Sequence, residues 1–158
     1  MKRATALIPL SREHHDALVF ARRAMAAASD PTMAQAHRDR VLSMWDETIE
    51  SHLCTEEATL LPALIAAGAE AAAETAQTHH DELRRLTRCL RDGDLTVIGA
   101  WGEAMRDHVH FEERELFPLA QRVLDLSALT GALDRPAAPD KRATAEISTP
   151  DQPGDSLQ

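Results

Sequence analysis

At 158 residues, with 44% apolar and 27% charged side chains, the chain has room for one globular domain with a real core, and not for two. A formal net charge of −9 sets it against nucleic acid or an anionic membrane surface as partner. Two cysteines, Cys54 and Cys89, make no CxxC pair and no disulfide framework, and no segment nears the roughly 20 apolar residues of a membrane span. Met1-Lys2-Arg3 is basic, but the apolar run behind it, from Ala4 to Leu10, is too short for a secretory signal and holds Pro9. A cytoplasmic location is expected.

With three Phe, two Trp and no Tyr the core must be aliphatic, and the Ala- and Leu-rich sequence favours helix over strand. Ser11 reads as an N-cap opening a helix through Ala28, which stops at Ser29-Asp30-Pro31. A second long helix is expected from about Thr32 toward Ala67, with Gly68 as its stop and Pro62 kinking it or unwinding its last turn. A third covers residues 70–91 and ends at Asp92-Gly93-Asp94; a fourth runs from near Leu95 to about Leu124, with Pro118 near its end. Residues 127–133 can add a short amphipathic turn. From Arg135 onward Pro, Asp, Ser and Thr replace the apolar period. The expected architecture is all-α: an up-down-up-down four-helix bundle over residues 1–133, followed by a disordered tail over residues 134–158.

An internal repeat sharpens this reading. Trp45, Glu47, His52, Glu56, Glu57, Leu60 and Pro62 recur without gaps, 56 positions on, as Trp101, Glu103, His108, Glu112, Glu113, Leu116 and Pro118. His14-His15-Asp16-Ala17-Leu18 likewise echoes His79-His80-Asp81-Glu82-Leu83. Two copies of one helical hairpin account for both matches.

On a helix, positions three and four apart share a face. Val41, Trp45, Ile49, His52, Glu56, Leu60 and Ala63 form one stripe; Trp101, Met105, His108, Glu112, Leu116 and Leu119 form another. A histidine and a glutamate one turn apart therefore sit in each apolar face. Burying an unpaired carboxylate costs several kcal/mol or more, so two such pairs facing one core call for cations. His and carboxylate side chains in a bundle interior are how di-iron and di-manganese bundles are built. The histidine doublets lie at the same level, measured from the turns that join the helices. Within the doublets the apolar stripes centre on His14 and His79, leaving His15 and His80 at the edge. Glu57, Glu113 and His110 point off the stripes and read as solvated, His37 as a surface residue, and Cys54 as facing away from His52.

The segments HLCTEEATLLP and HVHFEERELFP, joined to EHHDAL and THHDEL, resemble the HHE cation-binding domain of hemerythrin-like proteins over about residues 10–119. In that family the ligand of the first and third helices is followed by apolar residues at +3, +6 and +10, a register that selects His15 and His80. The resemblance implies two non-haem irons held by His15, His52, Glu56, His80, His108 and Glu112, with the two glutamates bridging. Oxygen-carrying hemerythrins have a further histidine one turn before the third-helix ligand. Ala76 stands there, which implies one iron with a more open coordination sphere.

The function so implied is binding or sensing of a small diatomic ligand, oxygen or nitric oxide, or handling of iron itself. The alternative is a di-iron redox enzyme acting on peroxide or nitric oxide, or an iron-centre repair protein. Nothing in the sequence identifies a partner protein. Without metal, the two core glutamates are expected to find relief by protonation.

Overall fold

The computed structural model describes residues 2–134. All their regular structure is helical. A single 3-10 turn, Thr5–Leu7, leads directly into α1, Ile8–Ala27. Helix α1 thus begins before Ser11, not at it. Pro9 occupies its first turn, where a missing N–H costs nothing, and the Ser11 hydroxyl donates to Glu113 Oε1 at 2.6 Å instead of capping.

Asp30 caps the second rod, its carboxylate accepting from the backbone N–H groups of Thr32 and Met33. This rod is continuous: α2 (Pro31–Met44), α3 (Glu50–Thr55) and α4 (Leu61–Ala66) are joined by π turns at Trp45–Ile49 and Glu56–Leu60. Pro62 does not unwind the rod's end, which stays helical to Ala66. The widened turn runs from Glu56 C=O to the N–H of Leu61, and Pro62, which has no N–H to give, falls in the first turn of α4. The third rod is α5, Glu70–Arg91. The fourth follows a 3-10 turn at Leu95–Val97 and repeats the device of the second: α6 (Ile98–Phe111), a π turn at Glu112–Leu116, then α7 (Phe117–Val123) with Pro118 in its first turn. A short α8, Thr130–Leu133, ends the described chain. The tail expected from residue 134 lies, apart from Asp134, outside the described residues.

Gly68 and Gly93 end the second and third rods with φ of 81° and 93°. There the N–H of the following residue reaches back to Leu64 C=O and Cys89 C=O respectively, a closure that favours glycine. Rods one and four pack most closely, through small side chains. A Cβ on Gly102 would stand 2.6 Å from the Ala21 carbonyl oxygen, and Ala17, Ala21 and Ala24 line the facing side of α1.

The core is split in two. One half gathers Ala17, Ala21, Trp45, Leu53, Leu83, Trp101, Met105 and Val109; the other gathers Leu7, Leu10, Leu60, Leu64, Ala76, Leu116, Phe117 and Ala120. Along every rod the boundary falls at the same polar residues: His14, His52 with Glu56, His80, and His108 with Glu112. No helix among the described residues is long and apolar enough to cross a membrane.

Candidate metal centre

Six side chains converge in that polar layer: His14, His52, Glu56, His80, His108 and Glu112. All six are buried, Glu56, His80 and Glu112 completely. Five of them are among the residues singled out by the sequence. The sixth is His14, and His15 is exposed on the outside of α1, away from the cluster. The buried face of α1 runs Leu10, His14, Ala17, Ala21, Ala24, so its helical phase places the first histidine of the doublet inward. On α5 the buried face runs Ala73, Ala76, His80, Leu83, Leu90, and the second histidine is inward. His79 lies at its edge, partly buried.

The donor atoms point at common spaces more than at one another. Glu112 Oε2 lies 3.0 Å from His14 Nε2 and 3.7 Å from His108 Nε2, and its Oε1 lies 3.8 Å from His80 Nε2. Glu56 stands between His52 Nε2 and His80 Nε2, one oxygen 3.4 Å from each. Despite this crowding, none of the four oxygens of Glu56 and Glu112 has a hydrogen-bond partner of proper alignment. Buried carboxylate oxygens are rarely left so, and a cation satisfies all of them at once. Two overlapping groups of donors lie close enough to hold an ion: His14, His52, His108 and Glu112, and Glu56, His80, His108 and Glu112.

The outer ring nitrogens are held by a set of carboxylates. His14 Nδ1 donates to Glu113 at 2.9 Å, His52 Nδ1 to Glu13 at 2.6 Å, and His80 Nδ1 to Glu57 at 2.9 Å. Glu57 and Glu113 are therefore not the solvated residues that their position off the apolar stripes suggests. Each turns out of its own rod's apolar face and toward a histidine on the neighbouring rod. Arginines clamp both: Arg84 reaches Glu57 at 2.7 Å, and Arg3 pairs with Glu113 while lying over the Phe117 ring. The only sequence sign of this arrangement was the repeated Glu-Glu pair. Carboxylate–histidine pairs of this kind fix the ring's orientation and tautomer and raise the basicity of the inner nitrogen.

Electrostatics follow the same pattern. Burial works against charge on His52, but Glu56, the hydrogen bond to Glu13, and Glu112 outweigh it and push the imidazole up to about 10. His14 and His80 move upward too, against burial, through Glu112 and their other carboxylate neighbours. His108 goes the other way: burial pulls it down to about 4, despite Glu112. Burial works to raise Glu112, yet His108, His14 and His80 hold it well below the ordinary carboxylate range. In the metal-free chain the balance therefore favours protons on His14, His52 and His80 over the core glutamates, the reverse of the sequence-based expectation. A carboxylate has three imidazoles beside it here, and an imidazole accepts the proton more readily.

A helical protein whose core is interrupted by buried histidines and orphaned carboxylates drawn from four rods is built as a metal-binding protein. The hemerythrin HHE cation binding domain matches residues 7–120, and the chain belongs to that family. No curated protein and no solved structure matches it. Membership implies metal binding, and the His and Glu cluster supplies residues able to do it.

Proposed function

We propose that the protein holds two non-haem iron ions on His14, His52, Glu56, His80, His108 and Glu112, and that it binds or senses a small diatomic ligand, oxygen or nitric oxide. The observation that carries this reading is the pair of overlapping donor groups sharing His108 and Glu112, with four buried carboxylate oxygens otherwise unsatisfied. Glu56, set between His52 and His80, is positioned to bridge, as is Glu112 between His14 and His80. His14 here takes the place that the family register assigned to His15. Mixed imidazole and carboxylate donors suit iron among the metals this cluster can take. Iron in such a site supplies reversible ligand binding or one-electron redox chemistry. The protein's own residues orient the imidazoles through Glu13, Glu57 and Glu113 and enclose the layer between the two apolar half-cores.

Ala76, fully buried one turn before His80, contributes no donor, which supports a more open position on that side of the centre. The same reading takes the four rods as an up-down-up-down bundle, supported by the short connections and by the packing of the first rod on the fourth and the third on the fourth. Residues 1–133 are taken as the functional unit, in line with the family match to residues 7–120. A cytoplasmic setting fits this reading.

Anaerobic reconstitution with ferrous iron, followed by stopped-flow exposure to oxygen, nitric oxide and peroxide, tests the function. The expected result is about two irons per chain, as the two donor groups suggest, and a spectral change with oxygen or nitric oxide that reverses when the gas is removed. Consumption of peroxide or nitric oxide over many cycles would instead favour a redox enzyme. A chain that takes up no iron overturns the reading.

A further inference from the structure

One buried ring nitrogen of the centre has no carboxylate. His14, His52 and His80 each place Nδ1 on a glutamate, but Nδ1 of His108, equally buried, has no hydrogen-bond partner. A second buried ring nitrogen without a partner lies nearby: Nδ1 of His79. The His79 and His108 rings are 6.2 Å apart between centroids and nearly perpendicular, at 86°, and Phe111 closes on His79 edge-to-face at 5.2 Å. Two orphaned imidazole nitrogens on neighbouring rings are costly, because each forfeits the full desolvation of its polar atom. A neutral imidazole offers one N–H and one acceptor nitrogen, so the two rings can share a single water, His108 donating to it and His79 accepting from it.

We propose that His79 is a positioning residue for His108, holding the outer nitrogen of that ring through one bridging water. This rests on the reading of the cluster as a metal centre. It gives the doublet His79-His80 two distinct duties: His80 faces the centre directly and His79 supports His108 from the adjacent rod. It also sets His108 apart, since its outer partner is neutral where the other three histidines have carboxylates. His108 is thereby the one donor imidazole of the four whose outer nitrogen no carboxylate supports.

The test is titration of the full-length chain with Co(II), a probe whose visible absorption reports the ligand field, and with Fe(II). His79→Phe removes the acceptor while keeping a ring; His79→Gln keeps a polar group able to hold the water. His79→Phe is expected to weaken Co(II) binding by roughly ten- to a hundredfold and to shift the visible bands, the range seen when a histidine ligand loses its outer partner. His79→Gln is expected to bind like the unaltered chain. If His79→Phe does not fold, as read by circular dichroism, His79→Ala takes its place. Unchanged affinity and spectrum in the ring-lacking or phenylalanine variant, or equal loss in the glutamine variant, overturns the proposal and leaves the metal centre standing. Failure of the unaltered chain to bind either metal overturns the metal centre itself, and the proposal with it.

Discussion

Glu57 on the second rod accepts a hydrogen bond from Nδ1 of His80 on the third, at 2.9 Å, and is itself gripped by Arg84. Burial works to raise Glu57, but His80 and Arg84 hold it down to about 2, so it is an ionised acceptor at neutral pH. Glu113 does the same for His14, with Arg3 in the place of Arg84. The repeat thus duplicates the support of the centre along with its donors.

Replacing either glutamate removes that support without touching a donor. Glu57→Gln and Glu113→Gln are each expected to weaken metal binding by roughly ten- to a hundredfold, with helicity intact. Competition against a chelator of known affinity measures it. Affinities equal to that of the unaltered chain would show that these carboxylates merely lie beside the rings.

The doublet on α1 yields a sharper contrast. His14→Ala should abolish or strongly reduce metal content, because it removes an inward imidazole 3.0 Å from Glu112. His15→Ala should retain it, since that side chain is exposed. Metal analysis of the two purified variants decides, and the reverse pattern would return the ligand role to His15.

Close approach of α1 and α6 supplies a prediction about stability. A side chain at Gly102 meets the Ala21 carbonyl oxygen and the Met25 side chain, at 2.6 Å and 2.8 Å for the first carbon alone. Gly102→Ala should destabilise the fold by about 1–3 kcal/mol despite the higher helix propensity of alanine, because the rods must move apart. Chemical denaturation measures the difference; a gain in stability would mean that the rods separate freely.

Legibility in the sequence followed the size of the side chains. The stripes of rods two and four, rich in Trp, Met, Leu and Ile, marked His52, Glu56, His108 and Glu112 as inward, where the structure has them. On α1 the buried face is mostly alanine, at 17, 21 and 24, which weighs little in an apolar pattern. Even so, the apolar pattern centred on His14, the histidine that the structure turns inward, and it was the family register, not the helical phase, that selected His15. On α5 the apolar pattern alone centred on His79, while buried Ala73 and Ala76 extend the face through His80. The π turns at Glu56–Leu60 and Glu112–Leu116 had no local signal beyond a glutamate six residues before a proline, Glu56 and Pro62 and Glu112 and Pro118, and the one at Trp45–Ile49 had not even that. Glu57 and Glu113 were hidden because their partners belong to other rods, and periodicity reports only a residue's own helix.

The last prediction concerns pH. In the metal-free chain His52 is raised from 6.5 to about 10, so its proton stabilises the fold fully below 6.5 and that contribution is lost as pH rises through about 10. His108 has the opposite sign. Its folded value near 4 lies below 6.5, so unfolding gains a proton as pH falls from 6.5 toward 4, and stability is lost on that side. The metal-free protein is therefore expected to be most stable near pH 6.5 and to weaken toward pH 10, as Glu56 and Glu112 lose the imidazolium that offsets them. Bound metal replaces those protons. Binding at pH 7 should accordingly release protons, and the stabilisation that metal confers should grow as pH rises from about 6.5 to about 10. Calorimetric titration in buffers of different ionisation enthalpy counts the protons, and thermal unfolding with and without metal across pH gives the stabilisation. No proton release, or a metal-induced shift in Tm that shrinks as pH rises, would mean that the histidines are neutral before metal arrives and that the charge balance drawn here is wrong.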